Sequence, residues 1–328
     1  MFANISRCPG YLSSEGRCRI HFRRGRWDGR AVLTRLLIKN FKSWRQAELK
    51  LAPLTALFGA SSSGKSSLIQ FLLMLKQTKD SADRALALDF GNSETLVDLG
   101  SFREAVHAHD EDKDIYWELD WEAAEELRIG DPSYKRTNVL FRGTRIGVSS
   151  SVRLRQRIAS SDFLDYDFSG SHFRLERGDD NKAGFQLQAS GPSEFRFIRN
   201  LGRAWDLPGP TRSYAFPDQA RTYFQNAQFL SEFKSAYVRQ MDAIVHLGPL
   251  RDYPRRQYIW SGSSPTDVGR RGEHTIDAIL SATARGETRN LRYKYKHKPF
   301  QEIIAWWLAE MGLINEFRIG DLAPGSGI

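Results

Sequence analysis

The run Gly59-Ala60-Ser61-Ser62-Ser63-Gly64-Lys65-Ser66 constrains this chain more than any other stretch of it. Two glycines framing small side chains, then Lys and Ser, reproduce the G-x-x-x-x-G-K-[ST] spacing of a phosphate-binding loop. Small residues let such a backbone curl until several N–H groups point inward at an anion, and the helix that follows adds the positive end of its dipole. In that geometry Gly59, Ala60, Ser61, Ser62, Ser63 and Gly64 cradle phosphate. Lys65 reaches the β- and γ-phosphates as a point charge, and the Ser66 hydroxyl becomes a ligand of the bridging Mg²⁺. Ser67 helps to start the helix. The expected ligand is ATP with Mg²⁺, and Lys65 and Ser66 are the candidate catalytic residues.

The flanks supply the required order of strand, loop and helix. Leu54-Thr55-Ala56-Leu57-Phe58 reads as a strand entering the loop. Leu68, Ile69, Phe71, Leu72, Leu73 and Leu75 follow at spacings that fill a buried helix, which ends near Lys76-Gln77-Thr78-Lys79 with basic residues where the dipole favours them.

A chain of 328 residues with 41% hydrophobic content can bury a sizeable core. It has no apolar run of the length a membrane span needs, and no apolar stretch follows its basic N-terminus, so the expectation is a cytoplasmic protein without a membrane partner. Cys8 and Cys18 are the only cysteines and read as inert thiols. The net charge of +9 is unevenly spread. Residues 1–30 hold seven arginines (Arg7, Arg17, Arg19, Arg23, Arg24, Arg26, Arg30) against Glu15 and Asp28, a net +5, which leaves +4 for the rest. Residues 1–31 read as a disordered basic arm or as translation from a start codon placed too early. The abrupt strand pattern from Val32 favours the second.

From there, Leu33 to Phe41 alternates as a strand, Lys42-Ser43-Trp44 turns, and Ala47 to Leu51 returns. Asp98-Leu99-Gly100-Ser101-Phe102 follows a loop. Short alternating runs at Ile115–Leu119, Asn138–Phe141, Ser151–Leu154, His172–Leu175 and Gly184–Leu187 form an antiparallel β segment, with a short helix expected over Trp121–Arg128. Residues 201–245 are partly helical, with Phe224, Phe229, Leu230, Phe233 and Val238 as a core stripe. The expected division is a nucleotide-binding core over 32–110, the β segment over 111–200 and a mixed helical region over 201–328.

Val32-Leu33-Thr34-Arg35-Leu36-Leu37-Ile38-Lys39-Asn40-Phe41-Lys42-Ser43, leading into Leu54-Thr55-Ala56-Leu57-Phe58-Gly59, resembles the opening of RecF/SMC-type ABC ATPase heads. Asp98 to Phe102, His246 to Tyr258 and Val268 to Glu273 resemble the bacterial AAA-family ATPases related to overcoming-lysogenization-defect proteins. The resemblance runs over residues 32–325, thinly through the β segment. It implies an α/β P-loop NTPase, an ABC-type head with an inserted antiparallel β segment and helices. It further implies work in DNA repair or phage defence, as a homodimer or with a chain that supplies missing parts, beside DNA and a nuclease partner. A complete head also carries a signature helix, an apolar strand ending Asp-Glu and a switch histidine. None is found: Leu86-Ala87-Leu88-Asp89 continues with Phe90, and Asp110-Glu111 and Glu125-Glu126 lack an apolar approach. The head is expected to be incomplete, an N-terminal portion that binds nucleotide and hydrolyses it only when completed. A non-catalytic, nucleotide-gated binding module and a nonfunctional fragment remain as alternatives.

Arg292, Lys294, Lys296 and Lys298 would share one face of a strand, with Tyr293 and Tyr295 on the other, and together with Arg251 they are the candidates for a nucleic-acid backbone. Loop arginines and edge lysines are more often solvated or paired. Gln77 occupies the position of the family's Mg²⁺-sensing glutamine only loosely, and reads as an exposed residue at a helix end. His107 and His109, beside Asp110 and Glu111, lack a further metal ligand.

Overall fold

Alternation of apolar and polar residues dictates a sheet with one wet face, and the chain builds one from two stretches of sequence, 32–50 and 115–190. The computed structural model describes residues 31–130, 139–178, 184–192, 195–202, 206–255, 257–290 and 296–313. Strands β1 (Val32–Phe41), β2 (Trp44–Lys50), β3 (Ile115–Gly130), β4 (Val139–Arg155), β5 (Ile158–Phe168), β6 (Ser171–Arg177) and β7 (Phe185–Ser190) form a seven-stranded sheet in the order β2-β1-β3-β4-β5-β6-β7. Every neighbouring pair is antiparallel. The β segment is therefore continuous with the hairpin that precedes the phosphate loop.

One face is the core. Leu36 and Ile38 of β1, Trp117, Leu119 and Trp121 of β3, and Leu164, Tyr166 and Phe168 of β5 are buried on it. The opposite face carries Arg35, Glu118, Asp120, Asp165 and Asp167, where Arg35 is ion-paired with Glu48, at 2.7 Å, and with Glu118. Helices α1 (Lys65–Asp80) and α4 (Leu230–Asp242) lie against the apolar face. Phe71 of α1 packs edge-on to Phe41 at 4.9 Å and meets Trp117 at 6.4 Å. From α4, Phe233 stacks on Tyr166 at 5.1 Å, and Tyr237 meets Trp117 and Trp121. The expected apolar stripe is this surface, with Phe224, Phe229, Leu230 and Phe233 buried and Val238 partly so.

The remaining helices are α2 (Phe102–Ala105), α3 (Asp218–Tyr223), α5 (Thr275–Ala284) and α6 (Phe300–Glu310), with β8 (Thr288–Arg289) paired to β9 (Lys298–Pro299). No helix among the described residues is long and apolar enough to cross a membrane.

Three local expectations are corrected. Trp121–Arg128 is strand, part of β3, because Trp121 continues the inward alternation and β4 supplies ladder partners such as Gly143 for Leu127. The irregular register between Glu122 and Leu127 absorbs the Ala-Ala-Glu-Glu stretch as a bulge, and ladder bonds outweigh its helix propensity. Leu54–Phe58 forms no strand: Leu54 is 65% exposed and Phe58 91%. No described strand lies alongside it, so its backbone groups have no ladder to join. Gln77 is buried, not exposed. Its Nε2 donates to the Asp89 carbonyl at 2.8 Å and its Oε1 accepts from the Val97 N–H at 3.0 Å, which commits the amide to the fold.

Candidate phosphate-binding site

Three left-handed or glycine-only backbone positions make the curl: Gly59 at φ 151°, Ser62 at φ 61° and Gly64 at φ 82°. Gly64 caps α1, and a Cβ there would lie 2.5 Å from Ser43 Oγ and 2.7 Å from Trp44 Nε1, so the position accepts only glycine. Ser63 N–H donates to the Ala60 carbonyl at 3.3 Å and closes the turn. Lys65 folds into the curl, its Nζ donating to the Gly59 and Ala60 carbonyls at 2.9 and 2.6 Å and to Ser63 Oγ at 3.2 Å. Ser66 is exposed in the first turn of α1, at the mouth of the loop.

A cavity of about 300 Å³ is lined by Ser62, Ser63, Gly64, Lys65, Ser66 and Ser67 together with Lys42 and Ser43. It brings together the second half of the sequence motif, while Gly59, Ala60 and Ser61 lie just outside the lining. A cradle closed to any Cβ at Gly64, an ammonium inside the curl and an exposed hydroxyl on the next residue form the donor set that a triphosphate and its Mg²⁺ require. Ser66 would hold the cation, which would neutralise charge on the phosphates. No Asp or Glu lines the cavity among the described residues.

Lys42 and Ser43 were legible in the sequence only as a turn. They reach the site because Phe41 pairs with Trp44 across a two-residue hairpin, and Trp44 Nε1 donates to the Gly64 carbonyl at 3.0 Å, seating the hairpin on the loop. The Lys-Ser-Trp run after an alternating strand was the only available signal.

The other candidates do not converge on this cavity. Arg251 is exposed and donates to the Gly248 carbonyl within its own turn. Asp252 pairs with Arg255 at 3.5 Å, and Glu273 accepts from the Arg271 N–H at 2.7 Å. Lys296 and Lys298 are exposed, Lys298 lying 3.9 Å from Glu302, whereas Arg292 and Lys294 fall outside the described residues, as do residues 1–30 of the basic arm with Cys8 and Cys18. His107 and His109 sit in a 3₁₀ turn and bond to backbone: His107 Nδ1 to the Lys42 carbonyl at 2.8 Å and His109 Nδ1 to the Arg103 carbonyl at 2.9 Å.

Residues 32–135, about a third of the chain, match the family model of the AAA ATPase domain. No curated protein matches the chain. The matched stretch begins with β1, takes in β2, the phosphate loop, α1 and the His107 turn, and extends through β3. This is the part of the molecule that builds the cavity, and its similarity to an AAA ATPase domain supports nucleotide binding.

Proposed function

We propose that this chain binds ATP·Mg²⁺ at the Gly59–Ser67 loop as an ABC-type head, and that it controls a DNA-acting partner in DNA repair or phage defence. The observation that carries the reading is the Lys65 ammonium lying within a loop that is closed to side chains at Gly64. Loop amides and the α1 N-terminus take the β-phosphate, Lys65 exchanges its carbonyl partners for β- and γ-oxygens, and Ser66 turns its hydroxyl to Mg²⁺. Lys42 lines the same cavity from the hairpin, which brings a second lysine to it. Hydrolysis needs a carboxylate to align water, and the lining supplies none among the described residues. That group comes from another lobe or subunit, and the unpaired Leu54–Phe58 segment beside the loop is a place where its strand can add.

Titration with a fluorescent ATP analogue tests the core of this reading. Lys65→Ala is expected to weaken binding at least about tenfold, roughly 1.4 kcal/mol. Equal binding by the variant, or none by the parent protein, rejects it. A lining without Asp or Glu among the described residues favours one second reading, a nucleotide-gated module without turnover. Phosphate release measured with and without the product of the neighbouring gene separates the two.

A further inference from the structure

The hairpin turn that lines the cavity is strained. Phe41 pairs with Trp44, so Lys42 and Ser43 are the two central residues, and Lys42 sits at φ 47°. The first central position of such a turn calls for glycine when its φ is positive, and an L side chain there costs about 1 kcal/mol. A non-glycine residue held in the left-handed region is kept by its surroundings, and this one is held from both sides. Lys42 N–H donates to the Ala105 carbonyl at 2.7 Å, and the Lys42 carbonyl accepts from His107 Nδ1 at 2.8 Å. A carbonyl can only accept, so Nδ1 carries the proton. Across the turn, Trp44 Nε1 holds the Gly64 carbonyl at 3.0 Å.

The clamp is itself built firmly. The capping box of Ser101 and Glu104 starts α2, Phe102 and Ala105 are buried, and Val106 bridges to Phe41. The Ser101 N–H, ahead of smaller contributions that include His109 and Lys42, holds the Glu104 carboxyl below the usual carboxylate range. Asp98 to His107, which has no place in the loop chemistry, is thus the platform under the Lys42 turn.

Resting on the nucleotide reading above, we propose that His107 is a positioning residue for the phosphate site: it holds the Lys42 carbonyl so that Lys42 meets the terminal phosphate and makes the site select triphosphate over diphosphate. The loop amides and Lys65 engage the β-phosphate of either nucleotide. Lys42 lines the cavity beside Ser62 to Ser67, and a cation brought to it gains most from the terminal group, which only the triphosphate has.

The test compares affinities for fluorescent ATP and ADP analogues, with melting temperatures alongside. His107→Phe keeps a ring and removes the donor, and is expected to weaken ATP about five- to tenfold and ADP less than about twofold. His107→Asn retains a donor near the Nδ1 position and should restore the parent ratio. Lys42→Gly should show the same selective loss while raising the melting temperature, because it relieves the turn. The double variant should be no weaker than either single one. Parallel weakening of ATP and ADP, additive losses, or a Lys42→Gly protein with an unchanged ATP/ADP ratio overturns the proposal. If His107→Phe fails to fold, His107→Asn and Lys42→Gly still decide it. Absence of any binding by the parent protein rejects the nucleotide reading, whereas binding that these variants leave unselective rejects this proposal alone.

Discussion

At the scale of single residues, the site depends on backbone positions more than on reactive groups. Gly64→Ala adds a Cβ at φ 82° and drives it into Ser43 and Trp44. The variant is expected to lose nucleotide binding at least tenfold, at a stability cost of about 1–2 kcal/mol, so that ligand titration and thermal melting separate the two effects. On the wet face of the sheet, burial pushes the Asp165 carboxyl up, against the opposing pull of His172, whose Nδ1 lies 2.9 Å from Oδ2. Asp165 Oδ1 is buried without a hydrogen-bond partner. A carboxyl raised in the folded state binds its proton more tightly there than in the unfolded chain. Stability from this group is therefore full below the ordinary aspartate range and is lost as pH rises through the raised value. Asp165→Asn, which keeps an acceptor for His172, should raise the melting temperature at pH 7 and leave it unchanged at pH 3. An equal shift at both pH values rules out the ionisation as cause.

At the scale of elements, the strands are held by partners and the helices by one face. α4 is anchored by Phe233, which is fully buried and touches Tyr166, Phe168, Phe173 and Phe229. Phe233→Ala should cost about 3–5 kcal/mol, read as a lower urea midpoint, because the four aromatic rings around it cannot collapse into the cavity. The folded fraction of that variant should still bind nucleotide with parent affinity, since the phosphate cavity has no lining residue from α4. β1 and β2 were readable because period-two patterning and a tight turn are local properties. The β5 strand was missed, since Ile158–Phe168 mixes serines and aspartates into its alternation, and only pairing with Leu164↔Ser150 and Tyr166↔Val148 settles it.

At the scale of the whole molecule, α1 is gripped at both ends. Trp44 holds the carbonyl that caps its start, and Arg212 donates to the carbonyls of Lys79 and Ser81 at 2.7 and 2.6 Å near its end. Lys76 Nζ reaches the Ile244 carbonyl at 2.6 Å, and Lys79 pairs with Asp242, so the region that follows the sheet in sequence fixes the helix that carries Lys65 and Ser66. The ties from Arg212, Lys76 and Lys79 join residues more than a hundred positions apart, and no local pattern announces them. Residue sizes and spacings within one short window were enough to read the phosphate-loop motif, the buried face of α1 and the strands β1 and β2. Tertiary structure alone decided that Ala-Ala-Glu-Glu would be strand, that Leu54–Phe58 would stand unpaired, that Gln77 would be buried, and that Lys42 would join the site. In each of these a hydrogen-bonding or packing partner, present or lacking, comes from elsewhere in the chain, and its contribution outweighs the intrinsic preference of the residues concerned.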